Sequence, residues 1–286
     1  MKKLKQQWIA DIIIRGAFFI FFMTVWSSGF AGIKYLCEQI YTGKPLELNA
    51  FVQMLLVLVI FTIVFGRFFC GKACAFGTYG DAVYWISARI AKLIGKKPPS
   101  MPAGPEKKLK YMKYFVLIGI CLLCMFGMAN LIIANSPWTA FANIKSGKVS
   151  LKTAADITGI ALLVACTVGM AVEKRFFCKF ICPFGAVFAL LPVLPFSAVK
   201  RKKETCIENC RACSNICVSK LDIPYEDEKN DYPFKMGDCF QCGKCTQICP
   251  TQNAECMTMP GGLKGIAFDF LKGAILALVL YLIMFA

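Results

Sequence analysis

Apolar stretches of near-helical length alternate along the chain with shorter polar and basic ones. A helix needs roughly 20 mainly apolar residues to cross a hydrocarbon core. Five stretches fit that pattern: Ile12 to Phe30, Ala50 to Gly66, Tyr114 to Ala134, Ala154 to Val172 and Ile266 to Ala286. The fourth carries no charge after Asp156. The fifth carries Asp269 and Lys272 in its first turns, one helical turn apart and placed to pair at an interface. Lys2, Lys3 and Lys5 precede the first stretch. Its apolar run exceeds the roughly 7–15 residues of a signal-peptide core, so it reads as a retained anchor.

Lysine and arginine counts set an orientation. Between the second and third stretches lie Arg67, Lys72, Arg89, Lys92, Lys96, Lys97, Lys107, Lys108, Lys110 and Lys113. After the fourth come Lys174, Arg175, Lys179 and the run Lys200 to Lys203. The opposite loops hold only Lys34, Lys44, Lys145, Lys148 and Lys152. The N-terminus, the basic loop and the segment after the fourth stretch are therefore expected on the cytoplasmic side. Five crossings then put the C-terminus outside.

Composition agrees with the pattern. Of 286 residues, 57% are hydrophobic and 17% charged, against roughly 45–50% and about 25% in soluble domains. The mean hydropathy is +0.59. The net charge of +16 would suit nucleic acid, but its distribution does not. Glu204 to Pro260 holds nine acidic and five basic residues, so the excess sits in the flanks of the apolar spans, where anionic lipid is the counter-ion. No nucleic-acid partner is expected.

Seventeen cysteines and no histidine narrow the chemistry. Disulfide scaffolds are short and secreted, whereas clustered cysteines in a long chain point to metal ligation in a reducing compartment. Without imidazole there is no histidine-ligated haem, no Cys/His zinc finger and no histidine base. No haem is expected.

The chain repeats itself. RFFCGKACAFG begins at Arg67 and RFFCKFICPFG at Arg175, an offset of 108 with seven of eleven positions identical. Ile40-x-x-Gly43-Lys44 and Ile144-x-x-Gly147-Lys148 match more weakly. Each unit reads as span, outer loop, span, cysteine pair, then an inner-face segment: Thr78 to Ile94, and Ala186 to Val199 with Pro192 and Pro195 breaking it. Two copies entering from the same side imply parallel repeats about the membrane normal.

Two cysteine quartets follow. Cys239-x-x-Cys242-x-x-Cys245-x-x-x-Cys249-Pro250 is the bacterial ferredoxin run, whose fourth cysteine ligates the other cluster in two-cluster proteins. Cys206-x-x-x-Cys210-x-x-Cys213-x-x-x-Cys217 has one extra residue in its first gap and Val218 in place of proline. Cys206, Cys210, Cys213 and Cys249 are thus assigned to one 4Fe-4S cluster, and Cys239, Cys242, Cys245 and Cys217 to a second. Zinc prefers two separated C-x-x-C pairs, and successive three-residue steps suit a cubane better.

Cys70 and Cys74, like Cys178 and Cys182, are four apart, and on a helix each pair would share one face. The duplication should draw the pairs towards a common axis, where four thiolates suit a further iron–sulfur cluster or another metal, kept dry by Phe68, Phe69, Phe76, Phe176, Phe177, Phe180 and Phe184. Buried packing is the alternative, but recurrence inside one frame argues against it. Cys121, Cys124 and Cys166 read as packing residues. Cys37, placed in an outer loop, and Cys256, past the quartets, receive no role. Arg15 reads as snorkelling, and Trp8, Trp26 and Trp138 as interface belts.

With two C-x₃-C motifs, Cys178 to Pro183 being the fuller, and two quartets after them, the chain resembles the membrane polyferredoxins. These are the quinol-linked subunits of periplasmic nitrate reduction and electron donors in nitrous oxide reductase maturation. Ala75 departs from the family's proline after the second cysteine. The resemblance implies electron transfer between a quinone pool or cytoplasmic donor and an outer-face redox protein, such as a flavoprotein or terminal reductase. It makes the chain an electron-transfer subunit rather than a stand-alone enzyme. Two rivals are a metal reductase whose membrane cysteines bind copper, and a redox-sensing or assembly factor.

The expected architecture is an all-α membrane protein of about five spans with a small α+β ferredoxin insert. Its parts are a first repeat (1–95), a basic linker (96–111), a second repeat (112–199), a two-cluster module (200–262) and a final helix (263–286).

Overall fold

The structure, a computed structural model, describes residues 2–128, 135–145, 147, 154–226 and 236–285. In chain order its helices are α1 (Lys2–Phe21), α2 (Val25–Thr42), α3 (Ala50–Phe65), a single π turn (Phe69–Ala73), α4 (Ala75–Leu93), α5 (Ala103–Leu109) and α6 (Met112–Met125). Then come α7 (Pro137–Lys145), α8 (Ala154–Val172), α9 (Phe176–Phe180), α10 (Pro183–Leu190), α11 (Ala212–Ile216), α12 (Lys244–Ile248) and α13 (Leu263–Phe285). The chain divides into two compact units. One comprises residues 1–23, 56–74 and 187–286, the other 24–55 and 75–186.

The expected apolar stretches become helices, with different ends. The fourth is α8 without change, and α10 stops at Leu190 ahead of Pro192, as proline requires. The first stretch is two helices, broken between Phe21 and Val25, and the second of these runs to Thr42 through the expected outer loop. The third ends at Met125, and residues 129–134 and 148–153 lie outside the described residues. By length and composition α13 can cross a membrane alone, and α1 with α2 qualify together as one broken span. Helix α3 has 16 residues, a rise of about 24 Å against a hydrocarbon core of roughly 30 Å.

The expected β component is much reduced. Among the described residues the cysteine-rich segment holds only isolated bridges, Lys200 with Glu255, Arg201 with Tyr225 and Cys256 with Met259. Its backbone is instead consumed by ligand turns and two five-residue helices, which leave no run long enough for a ladder.

In the first unit α1 packs on α13, on the π turn and on α12. Gly66 takes φ +66° and ends α3 in the left-handed region that glycine occupies without steric cost. The terminal carbonyls of α3, which lack intrahelical donors, accept from the Leu194 N–H to Ile63 O at 3.0 Å and the Ser197 hydroxyl to Val64 O at 2.5 Å. A core of Val193, Ala198, Val199, Ile223, Met236, Ala254 and Met259 sits beneath the quartets, with Cys213 in it and Cys239, Cys245, Cys249 and Cys256 packed against it.

Asp269 and Lys272 do pair, at 3.0 Å, but inside the protein rather than at an interface. Lys72, from the π turn, joins them by an ion pair to Asp269 and reaches Asp11 of α1 at 2.9 Å. Gln7 donates to Asp269 at 2.9 Å, and Lys272 donates to the Thr258 carbonyl at 3.0 Å. Two lysines and two aspartates, all buried, thus neutralise one another.

In the second unit α8 packs on α4 and α7, α2 packs on α6, and α9 touches α4, α6 and α8. Trp26 and Trp138, expected in interface belts, are only 5% and 8% exposed. Their rings lie 4.6 Å apart, with Phe30 against both, Phe184 at 5.5 Å from Trp26 and Phe177 at 6.3 Å from Trp138. Aromatic area buries better against aromatic area than it anchors at a surface here. Replacing Trp26 by alanine is expected to destabilise this unit by about 3–5 kcal/mol, read as a lower thermal midpoint in detergent with iron content unchanged.

Candidate iron–sulfur site

The quartets fold as two ligand turns, and in each the last cysteine leaves a short helix. Cys213 lies in α11 and Cys217 follows it with φ −65°, ψ 122°. Cys245 lies in α12 and Cys249 follows with φ −62°, ψ 118°. An extended backbone turns the fourth side chain away from the helical one, which is what a cysteine bound for the neighbouring cluster requires. One cavity is lined by Cys206, Cys210, Cys213 and Cys249 together, with Ile207 and Pro250 beside them. That is the first ligand set read from the spacing.

The cysteines of the second set lie near one another. Cys239 lies within electrostatic reach of Cys217 and Cys242, and Cys245 within reach of Cys217, Cys239 and Cys242. Cys213 is among the neighbours of Cys245, so the two sets adjoin. Burial pushes the Cys239 and Cys245 thiols well above the ordinary thiol range, and the neighbouring cysteines add to the shift. A thiolate in such a place needs a cation to hold its charge, and iron is the cation these donors suit.

Cys249 differs. Part-burial raises its thiol, but hydrogen bonds from Thr251 and the backbone outweigh that and bring it below the ordinary value. The Asn253 N–H donates to its sulfur at 3.3 Å. Among the described residues no three Cys, Asp or Glu side chains converge as ligands of one ion. A tetrahedral zinc site would hold sulfurs about 3.8 Å apart, whereas a cubane spreads its thiolates over four irons. Four thiolates per set are the donors a 4Fe-4S cluster takes.

The two C-x₃-C frames share one backbone hydrogen bond, and neither is the continuous helix the four-residue spacing suggests. In the first, the Cys74 N–H reaches back five residues to Phe69 O at 2.8 Å, closing a π turn. In the second, the Cys182 N–H reaches Phe177 O at 2.9 Å over the same interval. Single π turns of this kind concentrate at functional sites. Cys74 is extended at φ −70°, ψ 120°, so it does not stack over Cys70. All four cysteines are buried, Cys70 and Cys74 in the first unit and Cys178 and Cys182 in the second. The Gly185 N–H donates to the Cys182 sulfur at 3.3 Å.

Each frame also carries a buried lysine held by two carboxylates, a feature sequence reading passed over. Lys72 has Asp11 and Asp269, and Lys179 has Glu106 at 2.8 Å and Glu173 at 2.6 Å. The arginines that open the frames are buried as well. Arg67 pairs with Asp238 at 3.2 Å, while Arg175, at φ +60°, grips Asp81 with two nitrogens at 3.0 and 2.7 Å. The signal was present in the sequence as a basic residue inside both C-x₃-C spacers.

Arg15 does not snorkel. It donates to the Gly71 carbonyl of the π turn at 3.0 Å. Cys37 lies in α2 rather than in a loop, near Cys121 and Cys124. Cys166 is buried in α8, and Cys256 lies near Cys239 and Lys272. None of the seventeen cysteines forms a disulfide.

A family model described as a 4Fe-4S binding domain matches the chain twice, at residues 49–97 and 155–203. Each match encloses one C-x₃-C frame, and both end before Cys206. The chain is therefore an iron–sulfur protein built on a duplicated domain. An uncharacterized protein of Methanocaldococcus jannaschii is 27% identical over 68% of this chain and 65% of its own length. The putative electron transport protein YccM of Escherichia coli is 24% identical over 90% of this chain and 69% of its own. The ferredoxin-type protein NapH of Haemophilus influenzae is 22% identical over 68% and 63%. This chain thus spans about two thirds of the length of these relatives. In these matches the chain is similar to the membrane polyferredoxins. No solved structure matches it.

Proposed function

We propose that the chain relays single electrons between a cytoplasmic redox protein or the quinone pool and a partner within or beyond the membrane. The observation that carries this reading is the shared cavity of Cys206, Cys210, Cys213 and Cys249. A fourth ligand taken from the other quartet ties two cubanes into adjoining sites, the arrangement of a conductor rather than of a lone structural ion. Each cubane supplies one-electron exchange when bound. The chain supplies thiolate ligands, backbone N–H donors to sulfur and an apolar bed beneath them.

On this reading about five helices cross the cytoplasmic membrane in two repeats, with the boundaries given by the sequence. The shorter ones, α3 among them, are accommodated by local thinning of the bilayer. The N-terminus and the quartets face the cytoplasm, basic flanks meet anionic lipid, and the C-terminus lies outside. Cys70 and Cys74 in the first frame, and Cys178 and Cys182 in the second, are the thiols offered for further iron–sulfur or soft-metal binding. The YccM and NapH names support electron transport, and a flavoprotein or terminal reductase completes the chemistry.

Protein purified without oxygen should contain about 8 irons for two cubanes and roughly 10–12 with a membrane centre. Replacing Cys70 and Cys178 by serine should lower the count only by the difference. Zinc in place of iron and labile sulfide would end the proposal. A count near 8 that both substitutions leave unmoved would remove the membrane centre.

A further inference from the structure

The two ligand sets differ in what they face. Ile207, on the rim of the Cys206 cavity, is 53% exposed, so that set borders solvent. The Cys239 loop borders the first membrane frame instead. A Cβ on Gly71, midway between Cys70 and Lys72, would fall on the carbonyl oxygen of Phe240, the residue after Cys239. Only glycine lets the two backbones touch there. One step back, Gly66 faces the Gln241 side chain, and Gln241 in turn donates to Ser197 O at 2.6 Å.

Arg67 fixes the same contact from the side. Its guanidinium lies 4.7 Å from the centroid of the Phe240 ring and pairs with Asp238 at 3.2 Å. It spans Cys239 by bonding the residues before and after it. Arg15 holds the other face through the Gly71 carbonyl. Charge, ring stacking and a missing Cβ thus converge on one junction of two loops, each bearing iron-type ligands.

Resting on the electron-relay reading, we propose that the Gly71–Phe240 contact is the electronic junction between the Cys239 set and the first membrane cysteine pair. Gly71 and Arg67 are its positioning residues. The route runs from Cys239 along one peptide to the Phe240 carbonyl, across the contact to Gly71, and into Cys70. One electron would pass from the cubane that the Cys239 set would hold to a one-electron iron–sulfur centre that Cys70 and Cys74 would help to ligate, with no other change in either. No bond forms or breaks and no proton moves. The order of the relay follows: solvent-side partner, Cys206 set, Cys239 set, membrane pair.

The test uses full-length protein, purified without oxygen in detergent and reduced with dithionite. Wild type should show a spin–spin interaction between a quartet cubane and a second centre that disappears in Cys70→Ser. Its absence from wild type would overturn the membrane-centre reading, and with it this proposal. Gly71→Ala should keep wild-type iron and sulfide yet lose the interaction. Its reoxidation by a lipid-soluble quinone should slow by up to about a hundredfold, the cost that a misplacement near 1 Å can carry for positioned groups. Interaction and rate both retained in Gly71→Ala would overturn the junction alone. Should that variant fail to load iron, Arg67→Lys gives the same reading, with loss of the interaction supporting the junction and its retention overturning it.

Discussion

Cys249→Ser should abolish the same EPR signal as Cys210→Ser, and Cys217→Ser the same signal as Cys242→Ser. Each should lower the iron content by about 4 per chain. The pairing crosses the sequence, because Cys249 stands four residues from Cys245 and far along the chain from Cys210. It follows from the extended backbone at Cys217 and Cys249, which sends each to the neighbouring set, and from the cavity that Cys249 shares with Cys206, Cys210 and Cys213. If each quartet served its own cluster, Cys249→Ser would match Cys242→Ser instead. Thr251→Ala, which removes a donor near the Cys249 sulfur, should shift the potential of the first cluster only.

Lys72→Met should destabilise the first unit by about 3–5 kcal/mol, the usual cost of leaving a buried charge unpaired. At the roughly 2–4 °C per kcal/mol of chains this size, the thermal midpoint should fall by about 10 °C. Lys72 is 1% exposed and stands between Asp11 and Asp269, whose other buried cation is Lys272. Without it two carboxylates face one ammonium. Adding Asp11→Asn restores neutrality, and the double variant should recover at least half of the loss. A Lys72→Met protein as stable as wild type would mean that water reaches the cluster.

The helices and quartets were legible because each rests on local order. Apolar runs such as Ala154 to Val172 must bury or span, and three-residue steps between thiols suit few metals other than a cubane. What the sequence pattern hid depends on partners distant in the chain. Arg15 and Lys72 look like membrane-flank charges until Gly71, Asp11 and Asp269 arrive beside them. Trp26 and Trp138 look like belt residues until they meet each other. The expectation of one helical face for Cys70 and Cys74 failed because spacing alone does not reveal a π turn.

The turn geometry also bears on what the gene can tolerate. In Cys70 to Cys74, Cys213 to Cys217 and Cys245 to Cys249, one short coil of helix separates two sulfurs aimed in different directions. An inserted codon inside such a spacer would swing the earlier sulfur by about 100° around the axis, so these intervals admit substitution but not a change of length. The stretch between Cys206 and Cys210 has no helix, only turns and a left-handed Asn209 at φ +58°. That is where this chain carries its extra residue, in an interval of turns whose backbone can absorb it as slack.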